Sequence, residues 1–378
     1  MQLAQVDYDK YKLEVDAGFI SERVNPMHPE LIILNYTNLA VINRRWNNET
    51  MNARGLILNK ETLEVLAKPF PKFFNYNENL EYQREIPKCN CEPPVFTVKQ
   101  DGSLGISYMV GDNLFWATRG SFESDQARVA NEIWRRKYAA ILKEHEDVRE
   151  LMRGITLLVE IIDPQTKIVV DYEGLSDLIL IGAVDIRGKF PIDLDYDSLT
   201  NIGQYLGMPV TKQVELTIDE AVKLKETIPS NQEGWVLKWK NGKRLKVKGD
   251  NYMDVHRVAY GISLKKKIEY WKNDKLMELI SQVPEEFRNE IEEFQGNWDN
   301  KLEELIANLQ YIFDTCHKDV ESRKDFATNV NFNEYLDGKF KGIVFKAFES
   351  EDKQINRDAV KEVMHKYYRE FTDEGVEE

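Results

Sequence analysis

Between Leu31 and Lys248 this chain is built from short β-rich runs, and after Asp250 it has none. LIILNY, RGLILN, VFTVK, LGISYMV, NLFWATRG, TLLVEII, KIVVDY, DLILIGAVDIRG, GWVLKW and RLKVK are rich in β-branched and aromatic residues and mostly too short to be helices. Turn signals separate many of them, including Gly111-Asp112-Asn113 and the hairpin pair Asn241-Gly242. One amphipathic stretch, from about Ser124 to Leu151, interrupts the series and predicts a long helix with Val129, Ile133, Trp134 and Ile141 among its apolar positions. Strands joined partly by hairpins predict an α+β domain of antiparallel sheets over residues 1–250, not a doubly wound parallel sheet. From Pro284 the pattern becomes helical, with Phe287, Ile291, Phe294, Trp298, Leu302, Leu305, Leu309, Ile312 and Phe313 at three- and four-residue steps. A second helix is predicted over roughly Ile355 to Phe371, and the acidic end, Asp373 to Glu378, is expected to fray. Residues 251–378 therefore read as an all-helical domain, abutting the first because no linker-like tract separates them.

The 378 residues suffice for two domains that each bury a core. No apolar run approaches bilayer length, and MQLAQVDYDKYKLEVD lacks the basic-then-apolar order of a secretory signal. Cys89 and Cys91 are too close for an ordinary disulfide, Cys316 is far away, and five scattered histidines give no zinc spacing. The expected compartment is a reducing cytoplasm, that of the host cell if the chain is viral. A net charge of −14 argues against a surface that is basic throughout, yet Trp235 to Gly249 holds Lys238, Lys240, Lys243, Arg244, Lys246 and Lys248 without one carboxylate. That segment is either a solvated basic hairpin or a groove for an anionic polymer.

The stretch VKQDGSLGISY ends an apolar run at Val98, then presents Lys99 followed by Asp101, Gly102 and Ser103. A lysine two residues before Asp-Gly, between two predicted strands, can offer its amine to the α-phosphate of a nucleotide. The short pattern alone has little specificity, so its companions decide. Arg54 precedes the apolar run Gly55-Leu56-Ile57-Leu58, Lys72 and Phe74 lie in KPFPKFFNYNE, Glu160 ends LLVE, and Glu233-Gly234 opens WVLKW. Lys246 and Lys248 alternate in RLKVK and share one strand face. Each has a plainer reading as a surface charge, and Phe74 as core. Glu160, after four apolar or β-branched residues, should be partly buried and satisfied by a ribose hydroxyl or a hydrated cation. Glu233 could hold Mg²⁺, which prefers carboxylate oxygens. Gly102 suits a tight turn beside a phosphate, where a Cβ has no space. Cations near an attacking lysine disfavour its ammonium form.

In order, Lys99-Gln100-Asp101-Gly102, Arg119-Gly120-Ser121, Glu160, Glu233-Gly234 and Lys246-Val247-Lys248 resemble the motif set of the ATP-dependent ligase and capping-enzyme superfamily. Arg54-Gly55 and KPFPKFFNYNE narrow the resemblance to the RNA ligase 1 family of T-even-type phages, the tRNA-repair ligases, which also end in a helical domain. The resemblance implies a nucleotidyltransferase (adenylation) domain and an ATP-dependent RNA ligase with Lys99 as the catalytic lysine that carries AMP. It further implies nucleotide contacts from Arg54, Lys72, Phe74, Val98, Gly102, Arg119, Glu160, Lys246 and Lys248, with Glu233 and Glu160 as Mg²⁺ residues. Arg54 and Lys72 would hold the β- and γ-phosphates, and Lys246 and Lys248 the α-phosphate. The implied substrate is RNA with 5′-phosphate and 3′-hydroxyl ends, such as a tRNA broken in its anticodon loop, which the helical domain would help select. A monomer without an obligate protein partner or membrane is expected.

Two departures are visible. After Lys248 no strand-rich segment carries an Arg-x-Asp-Lys pattern; Ser322-Arg323-Lys324-Asp325 is a faint echo in helical surroundings. That disfavours the rival readings as a DNA ligase or a capping guanylyltransferase; a non-catalytic RNA-binding protein is a third. Arg119 stands where the phage family commonly has lysine, putting a planar fork in place of a point charge. The Phe287–Phe313 stripe reads as helix packing, Lys265-Lys266-Lys267 as a solvated helix face more readily than an RNA contact, and His145, His256, His317 and His365 carry no chemistry.

Overall fold

Residues 2–86, 93–283, 287–320, 322–331 and 333–372 are described by a computed structural model of the chain. Cys89 and Cys91, the helix-opening Pro284 and the acidic end 373–378 lie outside the described residues. The strands are β1 (Ile20–Val24), β2 (Leu31–Tyr36), β3 (Arg54–Asn59), β4 (Val65–Ala67), β5 (Phe74–Asn75), β6 (Val95–Val98) and β7 (Ser103–Val110). They continue as β8 (Asn113–Ala117), β9 (Ile155–Ile162), β10 (Asp177–Asp185), β11 (Ile192–Asp193), β12 (Gln213–Val214), β13 (Gly234–Lys238) and β14 (Arg244–Lys248). Three sheets result, ordered β1-β2-β3-β4, β11-β10-β9-β7-β8 and β12-β6-β13-β14-β5. Every strand pair within them is antiparallel except β5 with β14. The first domain is thus α+β with antiparallel sheets, as the alternation of the short runs predicts.

The chain divides into two compact units, Met1–His256 and Arg257–Glu378. In the first, Leu34, Leu56, Ile57 and Leu58 of one sheet pack against Ile106, Leu158 and Val184 of the next. The far side of that second sheet is covered by helices: Trp116, Leu157 and Leu180 meet Ile133, Trp134, Leu142 and Leu206. The third sheet buries Phe96, Trp235, Leu237, Leu245 and Val247 on one face. Its other face carries Val236 and Lys238 opposite Lys246 and Arg244, with Gly234 opposite Lys248. A strand alternating apolar and charged residues sorts them to opposite faces in this way.

Two predicted elements differ. The single helix expected over 124–151 is three: Asp125–Lys137, Ala140–Glu144 and Glu146–Met152. The first is capped by Ser124, whose hydroxyl accepts from Ala127 N–H, and the next pair is broken at His145, whose backbone is extended (φ −127°, ψ 103°). The run KIVVDY is not a strand. Its Val169 and Val170 amides donate instead to one oxygen of Asp101 (2.9 and 2.6 Å), which replaces a strand partner.

The second unit is helical. The long helix Arg288–His317 buries Ile291, Phe294, Trp298, Leu302, Leu309 and Phe313, so the aromatic stripe is core. The echo at Ser322 is a helix cap: the Ser322 hydroxyl accepts from Asp325 N–H (3.2 Å) at the start of the helix Arg323–Asn331. Lys267 is engaged by Glu290 at 2.9 Å while Lys265 is exposed. No helix among the described residues is long and apolar enough to cross a membrane.

Candidate active site

Lys99 follows β6, where its amide donates to the Gly234 carbonyl at 2.9 Å. Its Nζ donates to Glu233 Oε2 at 2.6 Å. The other oxygen of Glu233 meets Lys248 Nζ at 2.9 Å, so one buried carboxylate (3% exposed) joins two lysines of the ordered motif set. Burial opposes the charge of Glu233, but the two ammonium groups outweigh it and hold the carboxyl below its ordinary value. Both oxygens of Glu233, the residue the resemblance offers to Mg²⁺, are thus engaged by lysines here.

Gly234 makes this junction possible. Its φ is +133°, and a Cβ there would lie 2.0 Å from the Val247 carbonyl oxygen, so only glycine fits between β13 and β14 at this point. Gly102 is also required by its packing. A Cβ on it would lie 2.4 Å from the Ile161 carbonyl oxygen, so strand β9, independent of any bound phosphate, excludes a side chain.

Glu160 projects from β9 between Leu104 on β7 and Ile179 on β10. Its Oε1 accepts the Gly102 N–H at 3.2 Å. Its carboxyl is pushed up to about 7, chiefly by burial and also by Glu233 and Asp101, against the opposing pull of Lys99 and Arg54. A buried carboxylate disfavoured in this way can accept a hydroxyl donor or a cation. Among the described residues no cluster of three or more His, Cys, Asp or Glu side chains is spaced to hold a metal ion.

The remaining cations lie around two aromatic rings. Lys72 is buried (3% exposed), 4.5 Å above the Phe74 ring and 3.9 Å from Glu78. Phe74 itself is buried and packed edge-on against Trp46 and Tyr82, which fits the plainer reading of it as core. Its neighbour Phe73 is half-buried and has the Arg54 guanidinium and the Lys246 ammonium each 5.7 Å from its ring centre. Sequence reasoning missed Phe73, although the doubled Phe-Phe in a β-like segment signalled that one ring would face each way. Arg119 follows β8, exposed, and its guanidinium donates to the Tyr36 hydroxyl at 2.9 Å. Val98 serves through its backbone, its carbonyl accepting from the Thr211 hydroxyl at 2.7 Å.

The basic stretch 235–249 is not an open basic patch. Asp193 of β11 binds Lys238 and Arg244 (2.7 and 2.5 Å), Glu85 binds Lys243, and Glu233 binds Lys248. Lys240 is exposed at the hairpin turn, and Trp235 is buried in the core.

Asp101, to which the sequence assigns no chemistry, is buried and fully engaged. Oδ1 accepts from the Tyr252 hydroxyl (2.8 Å) and Oδ2 from the two loop amides. Its own amide donates to the Tyr172 hydroxyl at 2.7 Å. A cavity of about 270 Å³ separates Gly102 and Ile162 from Pro164, Thr166 and Leu175 of the same loop.

The profile of a family described as RNA ligase matches residues 52–255. A protein described as a candidate RNA ligase from Thermovibrio ammonificans is 29% identical over 186 residues, 49% of this chain and 46% of that protein. RNA ligase 1 of bacteriophage TS2126 is 29% identical over 133 residues, 32% of this chain and 31% of its own length. The chain thus spans less than half the length of these curated relatives. Among solved structures, a Naegleria gruberi RNA ligase with PPi aligns with 44% of this chain and 52% of its own, at 21% identity and a TM-score of 0.34.

Proposed function

Because the chain belongs to the RNA ligase family, we propose that it is an ATP-dependent enzyme that seals RNA ends through an adenylate carried on Lys99. The observation that carries this reading is the Lys99–Glu233–Lys248 arrangement, which buries one carboxylate between the expected nucleophile and a cation for the phosphate it attacks.

In the first step the Lys99 amine, having released its proton to solvent, attacks the α-phosphorus of ATP. A P–N bond forms, the bond to pyrophosphate oxygen breaks, and pyrophosphate departs with the electron pair. AMP then passes to an RNA 5′-phosphate, freeing Lys99 and creating a pyrophosphate-linked end. In the third step a 3′-hydroxyl attacks that end, loses its proton, and expels AMP as the phosphodiester forms. Lys248 and Lys246, on one face of β14, suit the charge that develops on the transferring phosphorus group. Arg54 and Lys72 suit the β- and γ-phosphates, and Glu160 a ribose hydroxyl or the divalent ion. Mg²⁺, when bound, would supply further neutralisation of phosphate charge. Broken tRNA is the substrate we favour.

The test is incubation of the full chain with α-labelled ATP and Mg²⁺, then denaturing electrophoresis. Label that is acid-labile, alkali-stable and absent from Lys99→Ala is expected, followed by circularisation of a 5′-phosphorylated RNA. Label from GTP alone, or label retained by Lys99→Ala, overturns the reading.

A further inference from the structure

We propose that Tyr172 is a positioning residue for the nucleophile, its hydroxyl holding the backbone immediately after Lys99 through the Asp101 amide. This rests on the reading of Lys99 as the adenylated lysine.

The segment Lys99–Gly102 leaves the edge of β6 and enters β7, and its amides are held at three separate places. Lys99 N–H goes to Gly234, Gly102 N–H to Glu160, and Asp101 N–H to the Tyr172 hydroxyl at 2.7 Å. The first two partners are motif residues on the sheets. The third is a side chain on the loop between β9 and β10. The Tyr172 hydroxyl also donates to Gln100 Oε1 at 3.3 Å, so one oxygen binds two consecutive residues of the motif.

The contact is reciprocal. The loop holds Asp101 by its amide through Tyr172, and Asp101 holds the loop by its carboxylate through the Val169 and Val170 amides. Asp101 and Tyr172 both line the cavity between this loop and the end of β9, so these hydrogen bonds tie the loop across it. Tyr172 is half-buried, and burial together with Asp101, Glu160 and Glu233 raises its phenol above the ordinary value, which keeps the donor proton in place. Replacement by phenylalanine removes the acceptor of a buried amide while leaving the ring.

Placement of an attacking atom is where such a contact has leverage, because a misplacement of ~1 Å can cost ~100-fold in rate. Only the first step uses the Lys99 amine as nucleophile; sealing of an RNA already adenylylated at its 5′ end does not. The two reactions therefore separate positioning of Lys99 from general damage.

The experiment compares full-length wild type, Tyr172→Phe and Gln100→Ala. Single-turnover formation of the labelled protein with ATP and Mg²⁺ is measured against ATP concentration, and sealing of pre-adenylylated RNA is measured without ATP. For Tyr172→Phe the expected result is a fall of ~10- to 100-fold in the maximal labelling rate. Its half-saturating ATP concentration and its sealing of pre-adenylylated RNA should stay within ~3-fold of wild type. Gln100→Ala, which removes the 3.3 Å contact to Tyr172 and a 3.4 Å bond from its Nε2 to the Thr211 hydroxyl but leaves the Asp101 amide bonded, should lose less. Wild-type labelling by Tyr172→Phe, an equal fall in both reactions, or an equal loss in Gln100→Ala each overturns the assignment to the Asp101 amide. Wild type that takes no label overturns the ligase reading and this one with it, whereas labelled wild type beside an unimpaired Tyr172→Phe overturns this one alone.

Discussion

At the scale of single residues, Glu160 and Glu233 respond to pH in opposite senses. Glu160 titrates at about 7 in the folded chain, against an ordinary value of 4.5. Between those values the folded state holds more protons than the unfolded one, so stability falls as pH rises through that window. Glu160→Gln should therefore raise Tm relative to wild type at pH 8 and change it little near pH 4.5. Glu233 is held below its ordinary value, so its contribution is present above pH 4.5 and is lost as pH falls through the lower folded value. Glu233→Gln should lower Tm at pH 8, with the deficit closing in strong acid. Melting curves of the three proteins from pH 3 to 9 check both signs. A backbone prediction belongs here too. Gly234→Ala meets a carbonyl at 2.0 Å in a left-handed conformation and should cost more than ~1 kcal/mol in denaturant titration.

At the scale of elements, the β13–β14 hairpin was legible from sequence in full. Asn241-Gly242 marked its turn, and the alternation in RLKVK put Lys246 and Lys248 on one face with Leu245 and Val247 on the other. Gly242 has φ +81° with nothing closer to a Cβ than Asp193 at 3.8 Å, so Gly242→Ala should cost only ~1 kcal/mol, less than Gly234→Ala. A larger loss at Gly242 in the same titration would contradict this account of the turn. KIVVDY was not legible, because its β-branched residues satisfy a strand template while its amides are taken by Asp101, 68 and 69 positions earlier. Which way Phe73 and Phe74 face was hidden for a related reason. Both rings fit a site equally in sequence, and only the pairing of β5 with β14 decides which one turns inward. Tyr172 lay hidden inside the misread strand.

For the molecule as a whole, the excess of acidic residues is not spread evenly against the basic hairpin. Carboxylates distant in sequence, Glu85, Asp193 and Glu233, come to the hairpin and neutralise Lys243, Lys238, Arg244 and Lys248. No local reading of charge could foresee that. Phosphate-bound cations each contribute ~0.7 to the salt slope of single-stranded RNA binding. Lys238→Met and Lys243→Met should leave that slope unchanged, which a salt titration of RNA binding by the full chain measures; a drop of ~0.7 for each would restore the open basic groove. The shared position of Glu233 bears on the proposed adenylation of Lys99. In the mechanism proposed above, a Lys99 that takes up an adenylate would lose its positive charge, leaving Glu233 with a single lysine and an oxygen newly at liberty. Without nucleotide that oxygen is occupied by Lys99, so the proposed first step would both load the lysine and unmask an acidic contact beside it.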